Sequence, residues 1–452
     1  MKKWNVRALI LCFTLISVSL LTMGCAETEE STVKVFSETK QTYALPSFIP
    51  APERTKTEID LPDSYNYIEE NLMPVLRNQG DTNTCWAFAS LSALEASKGV
   101  HSQNVYSADH LIHQNPIGRT FEAGGSYVVT VAYLLSWQGP VIEERDPYDG
   151  QSLELLTPDY HVQEIRQIEP KDYEAIKRFL YLYGAVESSL YIDFDEHMAE
   201  SDYYNNEHNA YCYTGTEISN HDVVIVGWDD YYPAENFAGD IQRDGAFLCQ
   251  NSWGEEFGDM GTFYVSYEDV NIGSYGVTYS RIESPDNYDH IYQSDLCGFT
   301  AQIGYQKEES WFANVYPAEE AISLRAAGFY ATGSNTEYEI YVVSDFADKN
   351  SFKQRTFVCN GFLEDGGYYT IDFPKPIEIA AGKDFAVVVK INTENSEYPV
   401  AIECPVDGLS ENADMTDGRG YLSLQGTVWE HVEETKKYNI CLKAYADSQK
   451  LQ

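Results

Sequence analysis

The sequence predicts an α+β domain followed by an all-β antiparallel sandwich. Three observations lead there. Ala87, Leu91 and Leu94, with Phe88 beside them, form an apolar stripe at helical spacing. Residues 223–226 (Val-Val-Ile-Val) and 246–249 (Ala-Phe-Leu-Cys) are compact apolar runs of strand length in the middle of the chain. From residue 284 onward, short β-rich runs punctuated by glycine replace helical patterning. The 452 residues are enough for two or three domains at roughly 150 residues each, and each can bury its own core.

Composition narrows the function classes. Thirty Lys and Arg against 71 Asp and Glu give a net charge of −41, which argues against direct nucleic-acid binding, since phosphate recognition needs clustered cations. The 35 Tyr, 20 Phe and 7 Trp supply more burial than a solvated acidic chain carries.

The N-terminus reads as an address. Lys2, Lys3 and Arg7 precede an apolar run over residues 8–22, at about 15 residues too short for a comfortable membrane span and suited to a secretory signal. The run ends in Leu21-Thr22-Met23-Gly24-Cys25, which resembles the lipobox of bacterial lipoproteins and implies cleavage after residue 24 and acylation of Cys25. Thr22 stands where the pattern more often has an aliphatic residue. The mature chain would carry 27 basic and 71 acidic side chains, a charge of −44, and would be anchored outside the cytoplasmic membrane through lipid on Cys25. Residues 25–60 are rich in Glu, Thr, Ser and Pro and read as a spacer.

The chemistry begins at Gln79-Gly80-Asp81-Thr82-Asn83-Thr84-Cys85-Trp86-Ala87-Phe88-Ala89. Asn83 or Thr84 can cap a helix there, placing Cys85 in its first turn, where the helix dipole favours thiolate. Further on, Asn220-His221-Asp222 opens one strand, and Asn251-Ser252-Trp253-Gly254 closes another. Taken alone, the Cys reads as a small buried hydrophobe, the His as structural and the Asn-Ser as a turn. Together and in this order, the three blocks resemble the papain-like cysteine peptidases. The resemblance implies a two-lobed domain, one lobe helical and one β-barrel-like, over residues 61–283. It also implies roles: Cys85 as nucleophile, His221 as its imidazolium partner and proton donor, Asn251 to orient the imidazole, and Trp253 to shield that bond. Gln79, six positions before Cys85, would join the Cys85 amide in stabilising the oxyanion. Gly124 and Gly125 match the segment whose backbone pairs with the substrate, and Asp222 and Trp253 fall among the substrate-binding positions. No cofactor is required.

Several departures from the family pattern stand out. Thr82, Glu122 and Gln114 occupy positions where members from oxidising compartments usually have disulfide cysteines. An acidic, aromatic insertion over residues 229–244 is expected at the rim of the cleft. Asp222 stands where a small residue is common: it would favour Lys or Arg in the substrate residue before the scissile one, raise the His221 pKa as a neighbouring anion, or turn aside to cap local backbone. His110 and His113 are three apart on the second expected helix and are read as part of a solvated face, not a metal site.

The last segment, residues 284–448, is expected to hold strands at 324–330, 338–343, 368–373, 385–391, 400–404, 420–424 and 438–444. Tyr288-Asp289-His290-Ile291-Tyr292 and Trp311-Phe312-Ala313-Asn314 resemble clostridial-type surface cysteine peptidases with a C-terminal lectin-like domain. Trp311 and Trp429 are either sugar platforms or core, core being the commoner use. The acidic run 414–417 is either a Ca²⁺ site or ordinary solvated loop. The functional expectation is a membrane-anchored cysteine endopeptidase acting on proteins or peptides, with a cell-wall or host glycan as a further partner. The alternative is a catalytically silent adhesin or glycan-binding lipoprotein built on the same fold.

Overall fold

The helical pattern after Thr84 becomes α1 (Cys85–Glu95), followed by α2 (Ala108–Gln114) and α3 (Tyr127–Leu135). The single expected stripe on α1 is instead a fully buried cylinder, since every residue from Trp86 to Leu94 is buried. α1 packs against α2 and α3 on one side and the central sheet on the other. Thr84 holds the N-cap position without making a side-chain cap bond. Its hydroxyl instead meets those of Thr82 at 2.6 Å and Tyr148 at 3.2 Å. A fourth helix, α4 (Tyr173–Leu182), is capped by Asp172 and lies against the sheet.

In this computed structural model, residue 52 and residues 54–449 are described, apart from 99–103, 153–155, 194–200, 407–408 and 412. Residues 1–24, read as a secretory signal, and Cys25 lie outside the described residues.

The first half of the sheet comprises β1 (Ser64–Asn66), β2 (His161–Gln167), β3 (Val186–Leu190), β4 (His221–Asp229), β5 (Ala246–Gln250), β6 (Thr262–Ser266) and β7 (Val277–Glu283). They lie in the order β2-β7-β3-β4-β5-β6, with β1 pairing β4. β4 is buried from His221 to Trp228, which explains its unbroken apolar run. The antiparallel register pairs Val224 with Gln250 and Asp229 with Ala246. The start of β4 is therefore beside the end of β5, and His221 meets Asn251. The same register corrects the expected place of the insertion. Residues 229–244 join the opposite ends of β4 and β5, about 26 Å along the strand from His221 at ~3.3 Å per residue, so they are far from the cleft rim. There, Asp230 accepts from Lys177 at 2.6 Å and from Tyr267 at 2.7 Å.

The second half adds β8 (His290–Tyr292), β9 (Glu309–Ala318), β10 (Ile322–Ala331), β11 (Thr336–Val343), β12 (Thr356–Leu363), β13 (Gly366–Ile379), β14 (Lys383–Thr393), β15 (Gly420–Ser423) and β16 (Leu442–Ser448). One sheet of the sandwich runs β12-β11-β14-β9-β15. The other, β8-β16-β10-β13, is continuous with the first half of the chain, because β13 pairs antiparallel with β2 from Gly366 opposite Gln167 to Tyr369 opposite Glu164. Tyr330, Tyr368, Ala401 and Cys441 belong to the same hydrophobic core as Leu91 and Val224. Residues 53–452 accordingly form one compact unit. The expected strands are present, the one at 400–404 as Val400–Glu403 and the one at 438–444 split into Asn439–Ile440 and β16. β8, β9 and β12 were not expected. No disulfide joins any of the cysteines among the described residues.

Candidate active site

Cys85 is the first residue of α1 and is partly exposed, with the backbone amides of Trp86 and Asp222 against its sulfur. That contact puts the start of β4 beside the N-terminus of α1. His221, buried at the head of β4, hydrogen-bonds through Nε2 to Asn251 Oδ1 at 2.7 Å. The Trp253 ring lies 4.8 Å from the His221 ring and covers this pair. The Nδ1 edge of the imidazole is left for the thiol.

The oxyanion side is joined to the same residues. Asn251 Oδ1 also accepts from the Ser252 amide at 2.8 Å, and the Ser252 hydroxyl donates to Gln79 Oε1 at 2.6 Å. The Gln79 amide in turn donates to Ser252 O at 2.8 Å. Gln79 Nε2 gives one hydrogen to Thr82 O at 2.7 Å and has a second N–H to offer. Ser252 was not singled out from the sequence, although its place next to Asn251 was a signal.

Hydroxyl and amide bonds tie the nucleophile loop down where disulfides were expected to be absent. Thr82 Oγ1 lies 3.1 Å from Tyr148 OH, which donates to Gln79 O at 3.1 Å. Asn83 reaches the glycine segment through its amide, to Phe121 O at 3.0 Å, and through Nδ2, to Glu122 O at 2.9 Å. Gly124 has φ +66°, and a Cβ on Gly125 would lie 2.6 Å from the Trp86 indole. Glycine is therefore required at both positions.

Burial pushes the Cys85 thiol up to about 12, helped by the nearby Asp222 charge. Desolvation likewise pushes the His221 imidazole down to about 4, despite the Asn251 bond. Neither charge forms alone. Proton transfer from sulfur to imidazole makes both at once, and their mutual attraction, with the α1 dipole, offsets the two desolvation costs. Asp222, buried and raised to about 7 by desolvation, accepts from the Tyr275 hydroxyl. Behind it Glu187, fully buried, accepts from the Ser90 hydroxyl. Nothing in the sequence pattern marked Glu187 or Tyr275.

The other residues singled out in the sequence have the following surroundings. His110 is buried rather than on a solvated face, and its Nδ1 lies 2.7 Å from Tyr133 OH. Trp311 and Trp429 are 8% and 6% exposed. Arg355 covers Trp311 at 4.7 Å, and Phe352 stacks on Trp429 at 4.3 Å, so both indoles are core. Asp414 accepts from the Thr416 amide at 2.8 Å and hydroxyl at 2.6 Å. Among the described residues no group of three or more His, Cys, Asp or Glu is arranged to hold a metal ion.

Comparison with known proteins agrees with this geometry. Residues 61–281 match the family model described as papain family cysteine protease, and residues 291–446 match that of the lectin-like domain. Among curated proteins, mouse cathepsin J is 28% identical over 265 residues, covering 55% of this chain and 74% of its own length. Mouse cathepsin K is 25% identical over 213 residues, covering 44% of this chain; the match spans only 58% of the cathepsin. A solved structure of the clostridial cysteine protease Cwp84 after propeptide cleavage is 26% identical, with a TM-score of 0.72, and covers 85% of this chain and 99% of that one. A second structure, of the cysteine protease and lectin-like domains of Cwp84, a surface layer associated protein of Clostridium difficile, shares the fold at 24% identity and TM-score 0.71, covering 88% of this chain and 90% of that one.

Proposed function

With residues 61–281 belonging to the papain family of cysteine peptidases and residues 291–446 forming a lectin-like domain, we propose that the chain is an extracytoplasmic, lipid-anchored endopeptidase. One observation carries the catalytic part: His221 is held by Asn251 at 2.7 Å beside Cys85 at the head of α1. Cys85 Sγ attacks the scissile carbonyl carbon as its proton passes to His221 Nδ1. The oxyanion is met by the Cys85 backbone N–H and by the second N–H of Gln79, each such donor being worth roughly 3 to 4 kcal/mol. As the tetrahedral species collapses, His221 returns the proton to the leaving amine, and a thioester remains on Cys85. Water, deprotonated by His221, then hydrolyses the thioester and frees the thiol. Trp253 keeps bulk water off the His221–Asn251 bond throughout.

The proposed organisation is a signal over residues 1–24, a lipidated Cys25 with a spacer to residue 60, the peptidase over 61–283 and the lectin-like region over 284–448. The lipobox-like run before Cys25 supports anchoring, and the surface-layer association of the clostridial relative fits a place at the cell surface. Proteins or peptides at that surface are the proposed substrates, with a wall or host glycan as the ligand of the lectin-like region. Labelling with an epoxide cysteine-peptidase inhibitor tests the catalytic part. Labelling and peptide hydrolysis that disappear in Cys85→Ala support it; activity that survives this substitution, or no labelling of the native chain, overturns it. Incorporation of labelled palmitate in cells, abolished by Cys25→Ala, tests the anchor.

A further inference from the structure

We propose that Tyr148 is a positioning residue for the oxyanion side of the site: its hydroxyl closes a cluster with Thr82 and Thr84 that sets where Gln79 stands relative to the Cys85 amide. The inference rests on the peptidase reading and adds a residue to that same machinery.

Three hydroxyls meet in the loop before α1. Thr82 Oγ1 lies 2.6 Å from Thr84 Oγ1 and 3.1 Å from Tyr148 OH, and Thr84 Oγ1 is 3.2 Å from the same phenol. Each hydroxyl has one hydrogen to give. Thr82 donates to Gln79 O at 2.8 Å, and Tyr148 donates to the same carbonyl at 3.1 Å. Thr84 then donates to Thr82 Oγ1, across the shortest of the three contacts. This assignment uses all three hydrogens and fills both lone pairs of the Gln79 carbonyl.

The cluster grips both oxyanion donors from behind. Gln79 is held at its carbonyl by Thr82 and Tyr148, and at its side-chain nitrogen by Thr82 O at 2.7 Å. Thr84 is fully buried in the cluster and directly precedes Cys85, so the peptide unit carrying the Cys85 N–H begins there. Residues 79–84 belong to no helix or strand, and the brace comes from outside them, 69 positions beyond Gln79. The Tyr148 ring meets the edge of Phe88, in the first turn of α1, at 5.0 Å, and Phe121 at 5.9 Å. The phenol thus ties the Gln79 loop to the helix that starts with Cys85. A small displacement of either donor is felt most when the carbonyl oxygen carries charge, and little when the substrate is merely bound. Tyr148→Phe keeps both ring contacts and removes one of the two donors to Gln79 O.

Hydrolysis of an acyl-Leu-Arg aminocoumarin by the full processed chain tests this, with the concentration of active sites set by epoxide titration. Tyr148→Phe is expected to lower kcat per titrated site about tenfold with KM unchanged, part of the roughly hundred- to thousandfold lost with a whole oxyanion donor. Thr82→Val keeps the carbonyl that holds Gln79 Nε2 but loses the hydroxyl, and should act in the same direction. Thr82→Ser retains the hydroxyl and should keep kcat near the native value, so this pair decides the matter should Tyr148→Phe fold poorly. A role in packing alone would lower the melting temperature or the titrated fraction and leave kcat per site as it was. That result in Tyr148→Phe, or in Thr82→Val where Tyr148→Phe does not fold, overturns the inference and leaves the peptidase reading intact. A rise in KM with kcat unchanged does the same. A native chain that neither titrates nor hydrolyses overturns the reading and the inference together.

Discussion

Ser252 joins the two halves of the proposed catalytic machinery: its amide donates to the Asn251 oxygen that holds His221, and its hydroxyl donates to Gln79, the proposed oxyanion donor. Ser252→Ala keeps the backbone bonds and releases only Gln79. The expected outcome is a fall in kcat of roughly ten- to a hundredfold, below the full loss of an oxyanion donor, with KM and melting temperature nearly unchanged in steady-state kinetics and thermal melts. Asp222 makes a prediction of a different kind. Folding raises its carboxyl from 3.8 to about 7. Below about pH 4 both folded and unfolded chains hold the proton; as pH rises towards 7 the unfolded chain releases it first, so stability falls across this window and stays low above it. Asp222→Asn retains an acceptor for Tyr275 and cannot ionise. It should therefore exceed the native chain in stability at pH 8, on the order of 4 kcal/mol, with the advantage gone by pH 4 in denaturant titrations at the two pH values. At this scale the sequence was informative where chemistry demands a residue type in a short local context, as at Cys85, His221, Asn251 and Gln79. It was silent on Glu187, an acidic residue in an apolar strand, because its meaning comes from diagonal pairing with a strand more than thirty residues away.

Among the elements, the decisive pairing is β2 with β13, and its anchor is Asp365. This carboxylate, 5% exposed, accepts from Arg166 Nη1 at 3.2 Å and from Arg178 Nη1 at 3.1 Å and Nη2. Asp365→Ala leaves two partly buried guanidiniums without their shared partner, and is expected to cost about 3 to 5 kcal/mol. Chemical denaturation measures this directly, and Asp365→Asn, which keeps an acceptor, should lose less. Strand existence was largely legible from alternation, but two strands hid behind turn signals. β9 contains Pro317, which argues against a strand interior, and Asn314, whose Nδ2 is buried against the carbonyls of Ile440 and Leu442 at 3.0 Å each. β12 carries Asn360-Gly361 in its middle, the pair that most strongly signals a hairpin turn. The insertion after β4 was misplaced for a related reason: spacing between His221 and Asn251 reveals extra residues in a hairpin but not at which end the hairpin carries them.

For the whole molecule, the boundary near residue 283 that composition suggests is not a mechanical boundary. β2 has β7 on one side and β13 on the other, and the side chains follow the backbone. Thr370 donates to buried Gln163 at 2.7 Å, and Arg281 donates to Thr370 O at 3.0 Å and pairs with Asp372 at 2.8 Å. Tyr368 is fully buried in the core that also contains α1. A chain ending at residue 283 would expose β2 as an unpaired edge, take from Gln163 its Thr370 donor and from Arg166, Arg178 and Arg281 the acceptors supplied by residues 364–372, and open the space left by Tyr368. Each of these defects costs on the order of 1 to 5 kcal/mol, against a total stability of about 5 to 15 kcal/mol for a domain. The expected outcome is that residues 53–452 unfold in a single calorimetric transition, and that residues 53–283 alone are aggregated or unfolded and show no epoxide labelling of Cys85. A truncated chain that melts cooperatively and labels at the native rate would show instead that the lectin-like half adds binding to an independent enzyme, and that the shared sheet is dispensable to the active site.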